Sequence, residues 1–126
     1  MEMRKLRVVQ VGTWCMCHSD HVMMTLRTMP HLFEIVGICE PDPARRAAAE
    51  KRDCYKGLRW MTTEEVLADT TLDCIFIETH ETTQDIDALP FAKAGFNIHL
   101  EKPGGCSMEK PGDCFYGKAR RLFGGL

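Results

Sequence analysis

The sequence predicts an α/β fold: a doubly wound parallel sheet in three layers, α/β/α. Three observations predict it. Short apolar runs recur along the chain at Leu6–Val11 (LRVVQV), Phe33–Cys39 (FEIVGIC) and residues 73–77 (DCIFI). Segments with helical spacing or helix-capping residues separate them. Polar or glycine residues collect where the runs end. Strands alternating with helices point to a parallel sheet covered on both faces, with all strand C-terminal ends on one edge.

The elements follow in order. Leu6–Val11 reads as a buried strand that ends at Gly12. Ser19 or Asp20 can cap a helix whose apolar residues Val22, Met23, Leu26 and Met29 keep helical spacing, with Pro30 just beyond. Phe33–Cys39 is the second strand. Asp42-Pro43 supplies an N-cap and a proline at the first helical position, and ARRAAAEKR continues the helix. A short strand over residues 58–61 comes next. Thr62 with Glu65 forms a capping box that opens a helix through Val66 and Leu67. Residues 73–77 form a strong strand, and a helix follows up to Gly95, a natural residue just past a helix end; Pro90 falls inside it, so the helix is expected to be kinked or to begin late. Residues 97–100 are the last strand. The order β-α-β-α-β-α-β-α-β is Rossmann-like.

At 126 residues the chain is expected to hold one domain, over residues 1–107. Residues 108–126 contain glycine and proline without a sustained period. They carry a second Glu-Lys-Pro-Gly, residues 109–112, with no apolar strand before it, read as coincidence. A net charge of −2 and a pI near 6.2 offer no basic surface to nucleic acid or anionic lipid. The apolar run in MEMRKLRVVQVG, broken by Gln10, is too short for a signal peptide, and no stretch reaches the ~18 apolar residues of a membrane span. A cytoplasmic protein is expected. The seven cysteines are scattered, several beside apolar runs, and no disulfide framework is expected.

The predicted ligand edge collects Gly12-Thr13-Trp14, Glu40, Glu78-Thr79-His80 and Glu101-Lys102-Pro103. A dinucleotide turn wants G-x-G-x-x-G so that backbone N–H groups approach the pyrophosphate. Here Gly12 keeps the pattern, while Trp14 and Cys17 replace the later glycines. Glu40 lies 28 residues after Gly12 and can accept ribose hydroxyls; its structural alternative is a helix-entry acid, a role Asp42 already fills. Cys15, Cys17, His18 and His21 are four potential metal ligands in seven residues, too compressed for ready tetrahedral convergence, and no metal site is assigned there. Metal binding through this cluster is kept as an alternative function. His99, inside the last strand, faces a helix or solvent; His80, at the ligand edge, is the better candidate.

With these residues in place the chain resembles the N-terminal domain of the Gfo/Idh/MocA family of NAD(P)-dependent oxidoreductases over residues 4–107. The resemblance rests on RVVQVG, on FEIVGICEPDPARR, and on DCIFIETHETTQD followed by ALPFAKAGFNIHLEKPGG. It implies an NAD cofactor, with NADP less favoured because of Glu40, and a sugar or polyol substrate. It implies that Lys102 sits beside the nicotinamide in a catalytic or cofactor-positioning role, with Glu101 and Pro103 forming the turn. It also implies that Thr79 and His80 belong to the nicotinamide-side loop, and it puts Gln84 where many members carry histidine. Family members continue into a second domain that holds the substrate; this sequence stops before it, so the chain is expected to bind cofactor without turning over substrate unaided. A non-catalytic nucleotide-binding or interaction module is the other alternative. The edge of the last strand is expected to pair with a second copy.

Overall fold

A computed structural model describes residues 4–100; the expectations for Glu101, Lys102, Pro103 and the tail lie outside the described residues. Four strands form one sheet: β1 (Leu6–Val11), β2 (Phe33–Cys39), β3 (Cys74–Ile77) and β4 (Ile98–Leu100), in the order β2-β1-β3-β4. All pairings are parallel. Helices α1 (Ser19–Arg27), α2 (Pro43–Glu50), α3 (Thr63–Ala68) and α4 (Gln84–Lys93) connect them, with a 3₁₀ turn at Asp53–Tyr55. Among the described residues no helix is long and apolar enough to cross a membrane.

The strand expected at residues 58–61 is reduced to a single parallel bridge between Ile38 and Trp60. Ile38 N–H donates to the Arg59 carbonyl (2.9 Å) and Met61 N–H to the Ile38 carbonyl (2.8 Å). Thr62 then caps α3 at once, which leaves no length for a ladder. Gly37 permits this approach, because a Cβ there would lie 2.7 Å from both the Arg59 carbonyl oxygen and Met61 Sδ. The bridge occupies the outer flank of β2, so the doubly wound order is kept with one rudimentary strand.

Local signals set most helix ends. The Asp42 side chain accepts from Arg45 N–H (2.8 Å), with Pro43 opening α2. Thr62 and Glu65 form the reciprocal capping box. Helix α1 differs: His18 is its N-cap without a side-chain bond, and the Ser19 hydroxyl instead donates to the Cys15 carbonyl (2.6 Å). Pro90 sits inside α4, which runs on to Lys93, with Gly95 in the left-handed region (φ 91°) beyond it.

Two apolar clusters glue helices to the two sheet faces. Val9, Val11, Ile75 and Ile77 pack with Val66 of α3 and Ala88 and Phe91 of α4. On the opposite face Ile38 packs with Met23 of α1, Ala49 of α2 and Tyr55 of the 3₁₀ turn. Burial of side chains of this size is worth about 1.5–3 kcal/mol each relative to exposure. This three-layer frame fixes the C-terminal ends of the strands side by side.

Candidate functional site

Strand β1 leaves the sheet at Gly12, whose φ is +104°. A Cβ at this position would lie 2.4 Å from the Glu78 carbonyl oxygen and 2.7 Å from Thr79 N. The glycine is therefore demanded by the crossing of the first turn over the end of β3. Trp14 N–H donates to the same Glu78 carbonyl (3.2 Å).

Glu40 follows β2 and is 8% exposed. Its Oε1 accepts from Thr13 N–H (3.0 Å) and the Thr13 hydroxyl (2.8 Å), and its Oε2 accepts from Asp42 N–H (3.0 Å). A carboxylate offers about four acceptor positions, so these donors orient it without saturating it. Thr13, 3% exposed, lies against the carboxylate and away from solvent. Capping of α2 falls to Asp42, so the macrodipole does not account for Glu40.

Glu40 borders a cleft of about 590 Å³ between α2 and α4, lined also by Arg45, Thr63, Thr79, His80 and Ile86. A smaller cavity of about 280 Å³ adjoins it, lined by Trp14, Cys15, His18, Glu78, Thr79, Glu81 and Gln84. Thr79 belongs to both. Its Oγ1, and Oε1 of Gln84, are buried with no hydrogen-bond partner among the described residues. Such orphan atoms beside a cavity suit a polar ligand.

Trp14, where a dinucleotide turn carries its second glycine, is held between side chains of two other segments. Its ring lies 4.2 Å from that of His80, and the Arg45 guanidinium sits 4.1 Å from its centroid. His80 Nδ1 accepts from Thr82 N–H (3.1 Å). The sequence-predicted residues Gly12, Thr13, Trp14, Glu40, Thr79 and His80 thus meet on one edge.

The metal alternative is corrected: among the described residues no three His, Cys, Asp or Glu side chains gather as a ligand set. Cys15 faces the smaller cavity, whereas Cys17 and His21 line a groove along α1, with only His18 bordering both. The residues run along a turn and helix start and do not converge. His99 is exposed, its ring 4.9 Å from Phe76, away from the cleft.

Sequence reasoning missed a buried polar cluster beneath the first turn. Gln10 and Tyr55 are at most 1% exposed, and the Tyr55 hydroxyl donates to Asp20 Oδ1 (2.7 Å). Arg52 Nη2 donates to the same oxygen (3.0 Å), and its Nε lies 2.8 Å from Oδ2. Burial pushes the Tyr55 hydroxyl well above the ordinary tyrosine range, so it stays a donor. The available signal was Gln10 itself, a polar residue inside an apolar strand.

A parallel sheet whose C-terminal edge joins a glycine turn, a buried acid after the second strand and a cleft between them defines a dinucleotide-binding α/β domain. Residues 6–111 match the oxidoreductase family GFO_IDH_MocA, described by its NAD-binding Rossmann fold, and the chain belongs to that family. No curated protein matches the chain. Among solved structures it is similar to the WlbA dehydrogenase of Bordetella pertussis in complex with NADH and UDP-GlcNAcA (24% identity, 95% of this chain and 35% of that one, TM-score 0.73). It is similar to an NAD-binding protein of Listeria innocua (24%, 96% and 33%, 0.72) and to GenD2 of gentamicin A biosynthesis in complex with NAD (22%, 97% and 32%, 0.73). The chain spans about a third of the length of each.

Proposed function

We propose that this domain selects NAD over NADP and serves an oxidoreductase that moves a hydride between nicotinamide and a sugar or polyol carbon. The observation that carries the reading is Glu40, a buried carboxylate at the mouth of the main cleft, oriented by three donors with acceptor capacity left. Ribose hydroxyls would complete it through charge-assisted bonds worth about 1.5–3 kcal/mol. A 2′-phosphate would meet a like charge. Thr79 and Gln84, with their unpartnered oxygens, would line the path from adenosine toward nicotinamide. The amides of Thr13 and Trp14 are already engaged, so phosphate donors would come from later in the turn. When bound, the nicotinamide supplies hydride acceptance or donation.

Strand β4 ends with Leu100 in register with Ile77, so the chain leaves the sheet at the cleft-bearing edge. By the family resemblance Lys102, in the Glu101-Lys102-Pro103 motif that comes after β4 in sequence, would take the catalytic or cofactor-positioning role, where an ammonium would stabilise charge on a substrate oxygen. The UDP-GlcNAcA held by the Bordetella neighbour supports a sugar-type substrate. Among the described residues β4 pairs only with β3, which supports association through its outer edge; light scattering that finds a monomer at high concentration would remove that part.

The test of activity is NADH formation by the 126-residue chain across inositols, sugars and sugar acids. Background rates are expected of a chain that spans about a third of the length of its neighbours, because substrate positioning worth ~7–11 kcal/mol requires a pocket for the reacting carbon. Turnover near one per second that Lys102→Ala abolishes would contradict this and assign a complete active site to the chain.

A further inference from the structure

The buried cluster beneath the first turn is tied to the backbone of that turn at two successive peptide units. In a trans peptide the C=O and N–H point in opposite directions, so a unit bonded at both ends cannot rotate without breaking one of the bonds. In the Gly12–Thr13 unit, the Gly12 carbonyl accepts from Gln10 Nε2 (2.9 Å) and Thr13 N–H donates to Glu40 Oε1 (3.0 Å). In the Thr13–Trp14 unit, the Thr13 carbonyl accepts from Arg52 Nη2 (3.3 Å) and Trp14 N–H donates to the Glu78 carbonyl (3.2 Å). The Gly12 carbonyl can only accept, which fixes which end of the Gln10 amide faces it.

The two anchors share one support. Gln10 Nε2 also reaches the Tyr55 hydroxyl (3.3 Å), which donates to Asp20 Oδ1, and Asp20 holds Arg52. A chain of bonds therefore runs from α1 and the 3₁₀ turn, through β1, to the carboxylate at the cleft. We propose that Gln10, Tyr55, Asp20 and Arg52 are positioning residues that aim Glu40 by locking both peptide planes of the first turn. None of them lines either cavity at the cleft edge. Their effect reaches the ribose only through Thr13 and Glu40, so the inference rests on Glu40 as ribose acceptor.

The consequence is specific. If the Gly12–Thr13 plane is freed, Glu40 Oε1 loses the fixed Thr13 N–H and keeps only the rotatable Thr13 hydroxyl, with Asp42 N–H on Oε2, so the aim of the carboxylate loosens while the rest of the cleft is unchanged. Affinity for a ligand that needs the aimed carboxylate falls; affinity for one that does not is preserved. A merely structural role would weaken both together.

The experiment is an NMR shift titration of the 126-residue chain with AMP and with 2′-deoxy-AMP, for wild type, Glu40→Gln, Gln10→Met and Tyr55→Phe. The wild type is expected to prefer AMP about tenfold, the range of one charge-assisted bond. Gln10→Met and Tyr55→Phe are expected to reduce the preference to about threefold or less, with 2′-deoxy-AMP affinity within about twofold of wild type. Tyr55→Phe keeps the ring in the core, so it preserves a folded test case if Gln10→Met does not fold. A preference that stays tenfold in Tyr55→Phe and in any folded Gln10→Met, while Glu40→Gln loses it, overturns the positioning inference and leaves Glu40 as reader. No preference in wild type overturns the Glu40 reading, and the inference with it.

Discussion

The two turns that frame the cleft are built in opposite ways. The turn after β1 is held from beneath by side chains that converge from three elements: Gln10 of β1, Asp20 of α1, and Arg52 and Tyr55 at the 3₁₀ turn, all largely or fully buried. The turn after β3 is closed by its own neighbours. Thr82 N–H and hydroxyl meet His80 Nδ1 at 3.1 and 2.7 Å, Thr83 N–H donates to the His80 carbonyl (2.9 Å), and the Thr83 hydroxyl donates to Asp87 (3.0 Å). Glu81, Thr82 and Thr83 are exposed. The first turn is thus pre-set before any ligand arrives, while the second rests on bonds that water can replace. The rigid side carries the acid that would recognise ribose; the locally held side faces the second cavity, where Thr79 and Gln84 have oxygens with no partner among the described residues.

The largest effect that would break this comparison lies at Gly12. Gly12→Ala must relieve a contact with backbone at 2.4 Å in a left-handed conformation. A loss of roughly 4 kcal/mol is expected, or more than ~10 °C in thermal midpoint. Gly95→Ala, with open space around its Cβ, should cost about 1 kcal/mol through its φ alone. Equal losses in calorimetry would remove the close crossing of the two turns as the reason for the glycine.

Next comes the buried support. Asp20→Ala leaves Arg52 without its carboxylate partner, a change of about 3 kcal/mol for a pair this enclosed. Thr82→Ala, in the exposed turn, should stay within about 0.5 kcal/mol. Urea unfolding of both variants checks the contrast. Similar losses would mean that the two turns are held alike.

The smallest effect sharpens the comparison from the far edge of the sheet. Asp73 precedes β3 and accepts from the Arg4 guanidinium (2.8 and 3.0 Å) and from Arg7 N–H (2.8 Å). The Arg4 bonds, then the Arg7 amide, hold its carboxyl down at about 2. Because the folded-state value lies below the ordinary 3.8, the stabilisation is present above that value and is lost as pH falls from about 3.8 toward about 2. Asp73→Asn should flatten the acid limb of the stability profile in that window and leave nucleotide binding at neutral pH unchanged. Altered binding would tie this edge to the cleft.

What was legible in the sequence was local. Asp42-Pro43, the Thr62–Glu65 box and Gly95 marked real helix boundaries, because each motif satisfies its own backbone within a few residues. The strand over residues 58–61 failed because its fate depended on how closely Arg59 could approach Gly37, and on α3 starting at Thr62. The α1 cap was misread for a related reason: the Ser19 hydroxyl turns back to Cys15 and Asp20 faces Arg52 and Tyr55. At the candidate site, Glu40 and the glycine turn were visible as spacing along the chain. The support under them was not, because Gln10, Asp20 and Tyr55 are separated by up to 45 residues and become neighbours only once the sheet has formed.

The central claim, that Glu40 is the ribose acceptor of an NAD site, is tested most directly by calorimetric titration of the chain and of Glu40→Gln with NAD and NADP. Wild type is expected to favour NAD at least about tenfold, the equivalent of ~1.4 kcal/mol, and Glu40→Gln to bring the two affinities together. Equal affinities in wild type, or a preference for NAD that survives in Glu40→Gln, would contradict it.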